Sequence, residues 1–224
     1  MRWPCLTTAL LLLLGLRAST QVGEGPKATG LITGTVLGQR GQPLNHVTVG
    51  AVREENGMHV PSAETNSSGQ FVIEELEPGT YDLFGESDVA GYPNTALSFY
   101  RKEEPTKVFL RTGDTAKVKL VLGPVAGAWT GVLIDKANGK PIAPPHAPHF
   151  IVRKVVDPED SIEFLGPEKF RWLIPADVDV TLEIRAEGYE PWFALLPLRF
   201  HSGENKTMKI ELDAEPKKDS GFLK

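Results

Sequence analysis

The sequence predicts an all-β protein built from two tandem β-sandwiches, and three observations support this prediction. Several segments alternate apolar and polar residues with a period of two, which is typical of half-buried strands. Clusters of Gly, Pro, Asn and Asp separate these segments at short intervals, as turns do in all-β proteins. A stretch near residue 34 also recurs near residue 131, and a repeat of that length is a domain rather than a solenoid unit.

Alternation of apolar and polar residues is clearest in three segments, which span residues 115–122, 178–186 and 207–213. In the second of them the apolar positions are Val178, Val180, Leu182, Ile184 and Ala186. Polar residues separate these positions, so one face of each strand is expected to enter a core while the other meets solvent. No segment after residue 20 keeps a helical period, and we therefore expect almost no helix.

Turn-forming residues between the strands give more specific expectations. Gly69 follows the polar run at residues 66–68, and a glycine there takes a positive φ without steric cost, so we expect the chain to reverse at this point. The dipeptide Pro78-Gly79 fits a type II turn, in which proline fixes the first corner and Gly79 adopts the left-handed conformation.

The repeat is carried by matched residues at equivalent positions. Gly34 and Gly131 lie 97 residues apart, and the Pro-Leu pair at 43–44 matches the Pro-Ile pair at 141–142. Trp129 lies two residues before Gly131, where the first copy has an isoleucine. This equivalence predicts a core position for Trp129 rather than an exposed one.

The repeat also predicts the division of the chain. We expect a signal peptide at 1–20, a first sandwich at 27–122, a second and divergent sandwich at 128–214, and a polar tail at 215–224. Residues 123–127 between the sandwiches are rich in Gly and Pro, and such a short linker is expected to permit limited hinge motion.

The first 20 residues have the features of a secretory signal. Arg2 supplies a positive charge, residues 6–16 form an apolar region around the unbroken leucine run at 10–14, and small residues for cleavage follow at 18–20. The apolar stretch is shorter than the ~20 residues that cross a bilayer as a helix. The sequence therefore predicts a protein that is secreted, periplasmic or at the cell surface after cleavage, with no transmembrane segment in the mature chain.

Cysteine usage and charge exclude several classes of protein. The one cysteine, Cys5, lies within the predicted signal, so we expect the mature chain to have no disulfide, no thiolate metal site and no cysteine nucleophile. Lys and Arg total 24 against 29 Asp and Glu, and the formal net charge of −5 argues against a nucleic-acid partner.

These residues together resemble the carboxypeptidase regulatory-like domain, a transthyretin-like or prealbumin-like β-sandwich with Ig-like Greek-key connections. The first copy carries the family's Gly-x-Val at Gly34, its Gly-x-Pro-Leu turn at 41–44, its Gly-x-Phe at 69–71 and its Pro-Gly-x-Tyr at 78–81. The second copy is divergent, since Pro-Ala-Asp replaces Pro-Gly-x-Tyr at 175–177. The resemblance implies a non-catalytic module, because such domains accompany a separate and larger zinc-dependent catalytic domain.

No arrangement of residues predicts a catalytic, cofactor or metal site, and we expect no enzyme activity. His-Glu-x-x-His does not occur in the sequence. His146 and His149 are closely spaced but lie among prolines, so a loop-to-strand junction is favoured over a metal site. The string around Ser87 lacks the closing glycine of a nucleophile elbow. The acidic clusters at 74–77 and 157–160 are interpreted as solvated surface.

Two functions remain open after these exclusions. The favoured one is a module for protein interaction or spacing in the cell envelope or extracellular space. The alternative is carbohydrate binding in the manner of starch-binding domains, for which Tyr189, Trp192 and Trp172 are the candidate stacking residues. A small-molecule carrier formed by dimerisation, as in transthyretin, has no specific mark in the sequence.

Two short motifs fit the N-glycosylation acceptor pattern. They begin at Asn66 and Asn205, and both are expected on turns. Glycosylation is expected only if the chain follows a eukaryotic secretory route.

Overall fold

The computed structural model describes residues 29–101 and 103–216. Within these residues the chain forms sixteen strands and one short 3₁₀ turn at Ser98–Tyr100, so the predicted all-β class is confirmed. The predicted signal at 1–20 and the end of the predicted tail, 217–224, lie outside the described residues. No helix long and apolar enough to cross a membrane occurs in the described ranges.

The first half of the chain consists of a three-stranded sheet facing a five-stranded sheet. The smaller sheet has the order β5-β1-β8 and the larger has β3-β2-β6-β7, with β4 also paired to β2. The strands are β1 (Gly30–Leu37), β2 (Thr48–Arg53), β3 (Met58–His59), β4 (Ala63–Glu64), β5 (Gln70–Leu76), β6 (Gly79–Glu86), β7 (Thr106–Leu110) and β8 (Thr115–Val121).

The second half repeats this arrangement. Its smaller sheet has the order β12-β9-β16, and its larger sheet has β11-β10-β13-β14, with β15 also paired to β13. The strands are β9 (Gly127–Asp135), β10 (His149–Lys154), β11 (Ser161–Leu165), β12 (Lys169–Ile174), β13 (Asp179–Arg185), β14 (Trp192–Phe193), β15 (Leu198–Arg199) and β16 (Asn205–Leu212). In both smaller sheets the central strand pairs antiparallel with one neighbour and parallel with the other.

The matched glycines of the two halves occupy the same place in this topology. Gly34 of β1 lies opposite Phe71 on one side and Val118 on the other. Gly131 of β9 has the equivalent partners Phe170 and Met208. A Cβ at either glycine would press against a backbone carbonyl of the parallel strand and against the phenylalanine ring. The repeated glycine is therefore required by close approach of neighbouring chain, not by an unusual φ.

Each half has its own apolar core between its two sheets. Ile32 and Trp129, the matched residues that precede these glycines, are both fully buried, as the repeat predicts. Trp129 packs edge-on against Phe150 and Phe170, with ring centroids 5.8 Å and 4.9 Å away. Aromatic rings thus fill much of the space between the sheets of the second half.

Two local expectations are corrected by the backbone. Gly69 has the predicted positive φ of 72°, but Gly79 is not left-handed and instead begins β6. Close by in the chain, Glu75 has a positive φ of 59°. It lies at a bulge, where the register of the pairing between β1 and β5 shifts. Asn205 is not on a turn, since β16 begins there through parallel pairing with Ala128 of β9.

The two halves are joined by packed side chains as well as by the linker. Phe99, on the 3₁₀ turn of the first half, is buried in the core of the second half. The neighbouring Tyr100 hydroxyl donates a hydrogen bond of 2.8 Å to the Leu173 carbonyl, and burial raises the Tyr100 pKa. The Nζ atom of Lys154 lies 5.2 Å from the centre of the Phe99 ring.

The linker is itself bound to both sides. The Ala126 N–H donates to the Gly91 carbonyl at 2.9 Å, while the Ala126 carbonyl accepts from Gly203 at 3.2 Å. With these bonds and the Phe99 contact, the expected hinge between the halves is instead a packed junction.

Candidate functional site

The aromatic residues proposed for sugar stacking lie at the margin of the second core. Trp192 and Tyr189 are both partly buried and pack against that core. Trp172 stacks on Phe164 at 4.6 Å with an interplanar angle of 10°. The Tyr189 hydroxyl lies 3.4 Å from a carboxylate oxygen of Asp135. All three rings therefore use part of their surface in internal packing.

The exposed aromatic of this region is Phe193, which was not among the candidates. In β14, Trp192 pairs with Ile184 and Phe193 pairs with Glu183. Ile184 faces the core, so Trp192 points inward and Phe193 points outward with 58% of its surface exposed. The alternation rule requires this split, but the sequence alone does not say which of the two residues faces out.

The outer face of the larger sheet in the second half carries a buried carboxylate. Glu183 is only 4% exposed because arginine side chains cover it on both sides. Arg153 Nη1 donates to Glu183 at 2.5 Å, and Arg185 Nε donates to the other carboxylate oxygen. Burial raises the pKa of Glu183, but the two arginine contacts outweigh burial and hold the pKa below its usual range.

The chain beyond β14 is strongly apolar and exposed. Residues 194–197, which we call the edge loop, connect β14 to β15 at the border of this sheet. Leu195 is 99% exposed and Leu196 is 75% exposed. Large apolar side chains in such a cluster are typical of an interaction surface.

The histidines do not converge on one point. His146 contacts Glu187 and His149 contacts Glu163, so the two closely spaced histidines have different acidic partners. His149 begins β10, in agreement with the loop-to-strand interpretation. In the described part of the chain, no group of three or more His, Cys, Asp or Glu side chains is arranged to hold a metal ion.

A cleft of about 390 Å³ lies at the junction of the two halves. Its walls include Tyr92, Tyr100, Pro124 and Pro175, and the end of β8 opens into it. The Tyr100 hydroxyl is already bonded to Leu173, so this wall residue serves the junction.

The two glycosylation motifs differ in their surroundings. Asn66 Oδ1 accepts hydrogen bonds from the N–H groups of Ser68 and Gln70 at 2.9 Å and 3.0 Å, which makes it a turn residue. Asn205 Oδ1 accepts from the Thr130 hydroxyl at 3.0 Å on the face of a sheet. Both side chains are exposed.

Comparisons with known proteins give a distant set of structural likenesses. The Bacillus anthracis TIE protein is 16% identical with a TM-score of 0.35, and the alignment covers 84% of this chain and 34% of that protein. A Streptococcal ancillary pilin is 14% identical with a TM-score of 0.37, with 86% and 64% covered. The shaft pilin SpaA from Lactobacillus rhamnosus GG is 12% identical with a TM-score of 0.32, with 84% and 98% covered.

The chain thus spans about a third of the first of these structures and just under two thirds of the second. A search of curated proteins found no match. A family model matches in sequence, and the match runs from residue 31 to residue 123, which covers β1 to β8 almost completely. That model is the carboxypeptidase regulatory-like domain, which is what this part of the chain is similar to.

Proposed function

We propose that the chain is an exported, non-catalytic β-sandwich module that serves protein interaction or spacing in the cell envelope or extracellular space. The observation that carries the proposal is the packed junction. Phe99 is 2% exposed within the core of the other half, and Tyr100 bonds to Leu173 across the junction. A spacer must hold its ends at a fixed separation, and a junction with shared core residues provides this stiffness.

The arrangement of polar side chains supports a non-catalytic role. The exposed His46 and His201 each take a single carboxylate partner, as His146 and His149 do. Catalytic acids and bases instead converge on one reacting position within a cleft. The regulatory-like family of the first half agrees with this proposal.

Export is supported by the predicted signal at residues 1–20. Fractionation of cells that express the full sequence tests this part of the proposal. We expect a shortened chain outside the cytoplasm. Retention of the full-length chain in the cytoplasm would contradict export.

Carbohydrate binding remains the alternative, and Phe193 is the residue that favours it. This ring is exposed on a sheet face beside Glu183 and the two arginines, and stacking rings flanked by hydrogen-bonding side chains bind sugars. A glycan array with the mature chain separates the two functions. We expect no saturable binding.

The array includes two variants with the same change at different places. Phe193→Ala removes the ring in question, and Phe109→Ala removes a ring of similar exposure in the first half. Saturable sugar binding that Phe193→Ala abolishes and Phe109→Ala retains would overturn the proposal in favour of the alternative.

A further inference from the structure

Four large apolar side chains are exposed on one sheet of the second half and at its border. Leu165 of β11 and Phe193 of β14 lie on the outer face of the larger sheet, and Leu195 and Leu196 lie on the edge loop. Phe150 of β10 points into the core, so its neighbour His149 points to the outer face. Leu165 of β11 lies directly opposite His149 in the antiparallel pairing and therefore faces outward as well. We call this set of residues, together with the charged side chains between them, the apolar face.

The size of the apolar face corresponds to one side of a protein interface. An aromatic side chain carries on the order of 150–250 Å² and a leucine less, so at their exposed fractions these four side chains present roughly 400–500 Å² of apolar surface. A partner in a standard interface contributes about 800 Å², of which roughly 56–65% is apolar. The exposed apolar area is therefore of the size that one copy supplies to a stable dimer.

The charges on the apolar face favour a second copy of this chain as the partner. Its cations are paired with anions on the same sheet, namely Arg153 and Arg185 with Glu183, and Arg199 with Asp179. The whole chain has a formal net charge of −5, so two copies repel one another over most of their surface. Charge pairing within this face removes that repulsion where the apolar side chains lie.

The border of the sheet favours contact between faces rather than addition of a strand. Pro191 and Pro197 stand on either side of the exposed segment, and proline has no N–H to donate to an incoming strand. Strands β14 and β15 are only two residues long. An open chain of edge-paired copies is therefore blocked at this border, whereas a closed two-fold pair is not.

We propose that two copies of the chain associate through the apolar face as a symmetric dimer. This proposal depends on the proposed function, because it identifies a second copy of the chain as the partner of the interaction module. Leu195 and Leu196 of each copy pack against the outer face of the other, and Phe193 lies at the centre of the contact. The paired arginines and carboxylates on β10 and β13 lie between Leu165 and Phe193 and are covered by the partner as mutually neutralised pairs.

Sedimentation equilibrium of the mature chain tests the proposal directly, at concentrations from about 1 to 200 μM. We expect the mass of a dimer at the upper end of this range. The double variant Leu195→Ser/Leu196→Ser should raise the dissociation constant at least about tenfold. Since both leucines are exposed, the variant should keep the far-ultraviolet circular dichroism of the wild type.

Val89→Ser is the matched control, because Val89 is 98% exposed in the first half and lies away from the apolar face. It should leave the dissociation constant unchanged. A wild-type chain that stays monomeric throughout, or a dimer that the double serine variant leaves intact, would overturn the dimer. Neither result bears on the glycan array, so failure of the dimer and failure of the proposed function are distinguishable.

Discussion

At the scale of single residues, the two matched glycines explain why the sequence repeat is so regular. Gly131 lies between the Met208 carbonyl and the Phe170 ring, and neither neighbour is the free end of a flexible side chain. Gly34 has the same surroundings in the first half. A methyl group at either position must displace a backbone strand or a core ring.

We therefore expect Gly131→Ala to lower the free energy of unfolding by roughly 1–3 kcal/mol, the range for overpacking in a core. Urea denaturation followed by circular dichroism measures this loss. Gly123→Ala is the control, because a Cβ there meets nothing within 4 Å, and it should cost little. Equal stability of the two variants would contradict the close-approach explanation.

Glu183 gives a pH-dependent prediction at the same scale. Its pKa is lowered by the two arginines, so its stabilising effect is fully present above the ordinary glutamate pKa of about 4.3 and is lost as the pH falls through the lowered value. Glu183→Gln should therefore lower the urea midpoint at neutral pH, and the difference from wild type should close below about pH 4. If the difference in urea midpoint between Glu183→Gln and wild type stays constant down to pH 3, the charge of Glu183 does not contribute to stability.

At the scale of elements, the 3₁₀ turn Ser98–Tyr100 makes a prediction about the other half of the chain. All tryptophans after residue 20 lie in the second half, at 129, 172 and 192, so tryptophan fluorescence reports on that half. Phe99 belongs to the first half in sequence but is buried with the second core. Phe99→Ala should reduce the free energy of unfolding by about 3–5 kcal/mol. The urea midpoint read by fluorescence should fall accordingly.

Tyr100→Phe provides a milder change in the same turn. It removes the hydrogen bond to Leu173 and should cost about 0.5–1.5 kcal/mol. Val89→Ala, at an exposed position of the first half, should leave the fluorescence midpoint unchanged. If Phe99→Ala behaves like Val89→Ala, the turn does not stabilise the second half.

An element could be predicted from the sequence where its cause is local, and could not where its cause is the pairing or packing of distant segments. Strands with regular alternation, such as β13, were predicted within one residue at each end because each side chain takes one of two faces. The bulge at Glu75 was not, since it depends on the register between β1 and β5 and not on a local glycine. The burial of Phe99 in the core of the second half could not be predicted either. Packing between the two halves produces no periodic pattern of apolar residues in the sequence.

The candidate site was less predictable than the fold for the same reason. Alternation requires that Trp192 and Phe193 face opposite ways, but the burial of Ile184 opposite Trp192 decides the direction. The edge loop is visible in the sequence as an apolar run between two prolines. Only the pairing of β13 with both β14 and β15 places that run at an exposed border.

At the scale of the whole molecule, the two repeated sandwiches share a packed junction and are expected to unfold as one unit. The linker is bonded to both halves through Ala126, and Phe99 and Tyr100 cross the junction. A spacer or an interaction module with a fixed geometry needs this coupling. Two sandwiches on a free hinge would unfold independently of each other.

The most direct test is equilibrium urea unfolding of the wild-type mature chain, followed by two probes in the same samples. Tryptophan fluorescence reports the second half, whereas far-ultraviolet circular dichroism reports the strands of both halves. The account predicts that the two transitions coincide, because loss of either half removes the junction that stabilises the other. Two separate midpoints would show that the halves unfold independently and would contradict the rigid two-sandwich unit.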